Sequence, residues 1–267
     1  LVRLSYQEPA ATWATNVMGT IHLLEALRLL DQPCSAVLIT TDKVYRNNEW
    51  LYGYRENDPL GGHDPYSSSK AAAEIAIASW RSSFCGTSPH QTPHLRVASA
   101  RAGNVIGGGD WGLDRIVPDA MRALSRGEPI GVRNPGATRP WQHVLEPLGG
   151  YLRLAENLAS SAELASAFNF GPQLEANRPV RELVDEALRH WPGRWQDQSD
   201  PSAPHEASLL NLVIDKAHHQ LGWAPRWNFV TTVERTVNWY RRVQEGQASA
   251  LECCLDDLTA YLTPSAA

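Results

Sequence analysis

An α/β fold with a parallel, doubly wound sheet is what three features of this 267-residue chain predict. Short apolar runs rich in β-branched residues alternate with longer stretches of helical periodicity. Two such runs, 35–40 (SAVLIT) and 95–100 (LRVASA), are bounded by turn residues. A polar triplet, Thr41-Asp42-Lys43, directly follows the first run, where open α/β sheets bind ligands.

The elements follow in order. Residues 10–30 carry Trp13, Val17, Ile21, Leu24 and Leu27 at helical spacing. The run 35–40 reads as a buried parallel strand. Asp64 is placed to cap a helix that Pro65 opens and that runs to about residue 84. A polar, proline-bearing loop at 86–93 leads to the strand at 95–100. Beyond 105 the pattern becomes less regular, with helices expected at 113–126, 145–158, 180–190, 215–221 and 230–245 and a short strand at 167–170. Three parts result: a first domain over 1–105, a second lobe over 106–245 interleaved with the first near 130–172, and a tail at 246–267. The chain opens on Leu1 rather than Met, and Gly19 is the only glycine before Gly53. A strand, Gly-rich turn and helix of a dinucleotide fold are therefore expected to be missing from it.

Composition excludes several classes. With 43% hydrophobic residues, 20% charged residues and a net charge of −5, the chain reads as globular. Nucleic acid and anionic membrane are poor partners for such a charge. No run of 18 apolar residues offers a membrane span. Cys34, Cys85, Cys253 and Cys254 lack metal-ligand spacing and read as reduced thiols of a cytoplasmic protein. The histidines show no metal-binding pattern either, so no metal is expected.

The chemistry concentrates at Tyr66-Ser67-Ser68-Ser69-Lys70. Positions i and i+4 share one helix face, so the Lys70 ammonium favours the Tyr66 phenolate and makes a usable base of it. The bland alternative is an amphipathic helix that happens to carry both residues. The segment Gly107-Gly108-Gly109-Asp110-Trp111-Gly112 matches G-x-G-x-x-G literally. It opens no βαβ unit, and the next strand-like stretch, 130–133, ends in a cation instead of an acid. It reads as a loop.

On these residues the chain resembles the extended short-chain dehydrogenase/reductases that modify sugar nucleotides. Asn16, Gly19 and Thr20 fit the N-x-x-G-T helix of that family, and Arg101-Ala102-Gly103-Asn104-Val105-Ile106-Gly107 fits its segment over nicotinamide and substrate. The resemblance covers about residues 1–245 and implies a Rossmann-type sheet, an NAD cofactor and a homodimer paired through the Tyr-Lys helix and the one before it. Ala71, Ala72, Ala73, Ala76 and Ala78 offer a small-residue face for such pairing. Within the family, a hydroxyl residue followed by Asp-Lys is similar to the branch acting on CDP-glucose, where the dTDP-glucose branch has Thr-Asp-Glu. The block 133–144, Asn169-Phe170-Gly171-Pro172 and Pro204-His205-Glu206-Ala207 point the same way.

That branch converts its substrate to the 4-keto-6-deoxy sugar of surface-polysaccharide deoxysugar synthesis. It oxidises C4, eliminates water across C5 and C6, and returns the hydride to C6. The resemblance implies Tyr66 as C4 base, Lys70 as its helper, Thr41 as donor to the C4 oxygen and Asp42 as the acid at C6. Burial must keep that acid protonated. Lys43 is either the C5 base, which requires a neutral amine, or an electrostatic helper. Asn16, Thr40, Tyr66, Lys70 and Ala102 are carried over as cofactor contacts. Arg139 is the foremost diphosphate ligand, followed by Asn104 and Arg115, then Arg133 and Arg178. His143 and His205 stand between substrate contact and packed structural histidine. The open alternatives are another nucleotide-sugar 4,6-dehydratase, a 4-epimerase, or an inactive fragment.

Overall fold

The computed structural model describes residues 2–86, 91–200, 202 and 209–263. His205, Glu206 and the centre of the 86–93 loop lie outside them. The elements run α1 (Val2–Gln7), α2 (Pro9–Trp13), a π-helical segment (Ala14–Met18), α3 (Gly19–Arg28), β1 (Cys34–Ile39), a 3₁₀ turn (Asp42–Val44), α4 (Pro65–Phe84) and β2 (Leu95–Ala102). Next come β3 (Val105–Ile106), α5 (Ile116–Ser125), β4 (Ile130–Val132), β5 (Thr138–Pro140), β6 (Gln142–His143), α6 (Leu145–Ser160) and β7 (Ala167–Phe170). The chain continues through β8 (Asn177–Pro179), α7 (Val180–His190), β9 (Trp195–Asp197), α8 (Asp215–Leu221), α9 (Phe229–Gln244) and α10 (Ala250–Leu262). No helix among the described residues is long and apolar enough to cross a membrane.

Two compact units divide the chain. The first comprises 1–103, 148–171 and 210–224 and is built on a parallel sheet of order β1-β2-β7. Its register pairs Ile39 with Ala100 and Ala102 with Phe170. The α/β parallel architecture expected from sequence is present. β1 differs in burial: it is an edge strand of this sheet, Leu38 is its one buried residue and Ile39 is 47% exposed. One face of the sheet packs Ala98, Ala100, Phe168 and Phe170 against Leu154, Leu158, Leu221 and Trp223, while Leu38, Val97 and Leu95 pack with Leu24 and Ile77.

α4 forms as its sequence dictates. The Asp64 carboxylate accepts from the Ser67 amide at 3.0 Å, Pro65 occupies the first helical position, and the helix ends at Phe84. Of the alanines read as a partner face, Ala71, Ala73 and Ala76 are buried within the chain itself. Ala72 is half-buried and Ala78 exposed beside a 60% exposed Ile75, so the outward stripe is narrower than the sequence suggested.

The second unit comprises 104–147, 172–209 and 225–267. Its core gathers Ile106, Met121, Ile130, Val132, Trp141, Leu183, Val184, Val237 and Tyr240 around α5, α7 and α9. Residues 246–267, read as a tail, include α10, which packs on α9 and is opened by a full capping box between Ser249 and Glu252. The glycine run is a packing device rather than a phosphate cradle. A Cβ on Gly108 would lie 2.1 Å from the Trp239 ring, and the Tyr240 hydroxyl donates to the Asp110 carbonyl at 2.6 Å. Gly108→Ala is therefore expected to destabilise this unit by about 1–3 kcal/mol through overpacking, read as a lower denaturant midpoint at unchanged slope.

Candidate active site

The strand tip and the Tyr-Lys helix are fixed against each other by core contacts. The 3₁₀ turn Asp42–Val44 packs on α4, and Val44 shares a buried cluster with Ala71, Tyr45 and Tyr54. Gly62 permits a further close approach: a Cβ there would meet Ser67 Cβ at 2.3 Å, and the Ser68 hydroxyl donates to its carbonyl. Thr41, Asp42, Lys43, Tyr66 and Lys70 thus belong to two adjoining elements of the first unit.

Asp42 is 1% exposed. Its Oδ1 accepts from the Thr41 hydroxyl at 2.9 Å and lies 3.8 Å from Lys43 Nζ. Its Oδ2 is buried with no hydrogen-bond partner, a costly state for a carboxyl oxygen. The Thr41 hydroxyl also accepts from the Lys43 amide at 3.3 Å. Lys43 is partly buried, its side chain 27% exposed.

Tyr66 lies in the first turn of α4, its amide donating to the Ser5 hydroxyl at 3.1 Å. Lys70, one turn on, is half-buried, and its amine makes no hydrogen bond or ion pair among the described residues. Burial pushes the Lys70 amine down from its ordinary value, and the Glu74 carboxylate opposes that shift. Asn16 reaches the same helix from the π segment, its amide donating to the Ser69 hydroxyl at 2.8 Å, while Thr20 bonds back to the Asn16 carbonyl at 2.7 Å. The Thr40 hydroxyl donates to Glu74 Oε1 at 2.5 Å. Ala102 is buried at the end of β2.

The remaining candidates lie in the second unit. Arg139 is buried in β5 opposite Arg178 of β8, and its Nη1 donates to the Thr138 carbonyl at 2.9 Å. Asn104 has a buried Oδ1 without a hydrogen-bond partner. Arg115 and Arg178 are exposed and Arg133 is half-buried; they pair with Asp110 (2.8 Å), Glu182 (3.2 Å) and Asp114 (2.6 Å) respectively. Their cations are shared with neighbouring carboxylates, as solvated element ends are. His143 is 2% exposed, packs edge-on to Trp227 and accepts the Leu145 amide on Nδ1. Burial, with the Arg235 cation, pushes its pKa down to about 4. Its Nε2 is buried without a hydrogen-bond partner. Among the described residues no cluster of three His, Cys, Asp or Glu could hold a metal ion.

Sequence reasoning missed three groups. Glu74 and Arg101 form a buried ion pair at 2.8 Å, and Tyr151 lies close enough to Asp42 for that carboxylate to add to burial in raising its phenol. The i+4 spacing of Lys70 and Glu74 was a readable signal; the other two arise from long-range packing.

A family profile described as GDP-mannose 4,6 dehydratase matches residues 1–236. The chain is 43% identical over 266 residues to the CDP-glucose 4,6-dehydratase of Salmonella typhimurium, covering 98% of this chain and 74% of that protein. It is 29% identical over 248 residues to a dTDP-glucose 4,6-dehydratase of Streptomyces antibioticus, covering 89% and 66%. In fold it is similar to the dTDP-glucose 4,6-dehydratase DesIV of Streptomyces venezuelae, with a TM-score of 0.76 at 23% identity, over 94% of this chain and 73% of that one. Profile, identity and architecture agree: the chain belongs to the GDP-mannose 4,6 dehydratase family.

Proposed function

We propose that the protein is an NAD-dependent hydro-lyase that converts CDP-glucose to CDP-4-dehydro-6-deoxy-glucose. The observation that carries this reading is the buried Asp42, whose Oδ2 lacks any partner, beside Lys43 in a Thr-Asp-Lys strand tip. An acid for a hydroxyl leaving group suits that arrangement: one oxygen held, the other without a partner of its own. The 43% identity to a CDP-glucose enzyme supports the choice of substrate.

Tyr66, held as the phenolate by the neighbouring Lys70 ammonium, takes the C4 hydroxyl proton and becomes the neutral phenol. The ketone acidifies the C5 hydrogen. Lys43, as base or as cation stabilising the enolate, acts there while Asp42 protonates the departing C6 oxygen. Thr41 keeps Asp42 Oδ1 occupied, which leaves Oδ2 as the proton carrier. The half-buried, unpartnered Lys70 amine suits a ribose diol, so Lys70 and Tyr66 fit the nicotinamide ribose of NAD. Bound NAD supplies a reversible hydride acceptor. Asn16 contributes by fixing Ser69 on α4, and Ala102 by closing the end of β2; the Thr40 hydroxyl is engaged by Glu74. Arg139, with Asn104, grips the diphosphate; Arg115, Arg133 and Arg178 are secondary cations.

The same reading places the enzyme in the cytoplasm, in the deoxysugar branch of surface-polysaccharide synthesis, as a homodimer joined through α3 and α4. Incubation with CDP-, dTDP- and UDP-glucose, reading the keto sugar by its absorbance in alkali, tests the substrate. Product is expected from CDP-glucose alone; equal turnover of dTDP-glucose contradicts the assignment.

A further inference from the structure

Beneath the strand tip of the first unit lies a charged network that the chemistry above does not use. Glu74 (2% exposed) and Arg101 (3% exposed) pair at 2.8 Å. Glu74 Oε1 accepts from the Thr40 hydroxyl, and Oε2 accepts from the Ser99 hydroxyl at 2.8 Å as well as from Arg101. Arg101 also donates to the Tyr45 hydroxyl at 2.8 Å and to the Glu56 carbonyl at 3.0 Å. The Tyr45 hydroxyl in turn donates to Asn169 Oδ1 at 2.7 Å. Burial alone would push the Glu74 carboxyl up; the Arg101 hydrogen bond and charge, with the two hydroxyls, bring it below its ordinary value.

Two aspects of the geometry bear on function. Thr40 and Tyr45 bracket Thr41-Asp42-Lys43, and both are anchored to this one ion pair. Glu74 also stands one helical turn beyond Lys70, which stands one turn beyond Tyr66. A single buried carboxylate therefore ties the strand tip to the helix bearing the phenol. Burying such a pair costs desolvation that packing with apolar residues would avoid, so its stabilising value is poor grounds for its presence.

We propose that Glu74, paired with Arg101, is a positioning residue: it fixes the register between the Asp42 acid at the strand tip and the Tyr66 base on α4. The proposal rests on the dehydratase reading for its kinetic consequences, but the Glu74 charge, one helical turn from Lys70, can also be followed without turnover. Removing the Glu74 charge leaves burial unopposed at Lys70, so that amine must lose its proton at lower pH.

The experiment compares wild type with Glu74→Gln, Thr40→Val and Thr40→Ser. Glu74→Gln is expected to lower kcat by about tenfold to a hundredfold, the scale of a small misplacement of reacting groups, with KM for CDP-glucose changed by less than about threefold. The alkaline limb of its kcat profile moves to lower pH. The pH dependence of Lys70 acetylation by acetic anhydride, read by mass spectrometry, moves the same way and requires no activity. Thr40→Val lowers kcat without moving the Lys70 labelling profile, and Thr40→Ser restores it. A Glu74→Gln protein that merely melts lower, with kcat per folded enzyme and labelling profile like wild type, overturns the proposal. Equal kcat for Thr40→Val and Thr40→Ser overturns the tie to the strand tip. A wild type inactive on CDP-glucose whose Lys70 labelling still shifts in Glu74→Gln sinks the dehydratase reading and supports the electrostatic role of Glu74.

Discussion

Tyr66→Phe is expected to lower turnover of CDP-glucose by about 10²–10⁴-fold, the usual worth of a positioned base. The change removes one oxygen from a half-buried side chain and leaves the Asp64 cap and Pro65 in place, so unfolding free energy should move by less than about 1 kcal/mol. KM should change little, because the phenolate acts on the developing charge rather than on the bound ground state. Steady-state kinetics with a denaturant titration of the same preparation checks both. A variant within about twofold of wild type removes Tyr66 from the chemistry.

Asp42→Asn should be as damaging to the overall reaction, by about 10²–10⁴-fold, yet should spare its first half. The amide keeps an acceptor for the Thr41 hydroxyl but offers no acidic proton where Oδ2 now stands without a partner. Oxidation at C4 then proceeds while water loss stalls, so mixing substrate with enzyme should give a stoichiometric build-up of the 4-keto-hexose rather than 4-keto-6-deoxy product. Quenching and mass analysis of the sugar nucleotide reads this directly. A 4-epimerase has no use for an elimination acid and would retain its rate in the same variant.

Local signals made much of this legible. The cap at Asp64 with Pro65 fixed the start of α4 from four residues, because the side-chain oxygen and the preset proline φ each act within one turn. β7 and α7 also lie where periodicity set them, at Ala167–Phe170 and Val180–His190. α10 carried an equally local signal in Ser249 and Glu252, passed over because the stretch was read as a tail. β3, β6 and β8 span only two or three residues, too few for alternation to register.

At the site the sequence identified the reactive groups but not their couplings. That Thr40 faces Glu74 and that Arg101 reaches Tyr45 depend on packing between residues 34 and 56 positions apart. The glycine run shows the converse: a literal motif in which Gly108 admits the Trp239 ring and Gly107 admits Val144.

CDP-glucose carrying deuterium at C4 offers the most direct measurement. An internal redox cycle predicts a product with the label on the C6 methyl carbon and the solvent's hydrogen at C5. Product whose C6 carries no label, or substrate recovered with its label still at C4 and no keto sugar formed, would contradict the assignment of Tyr66, Asp42 and Lys43 to one dehydration.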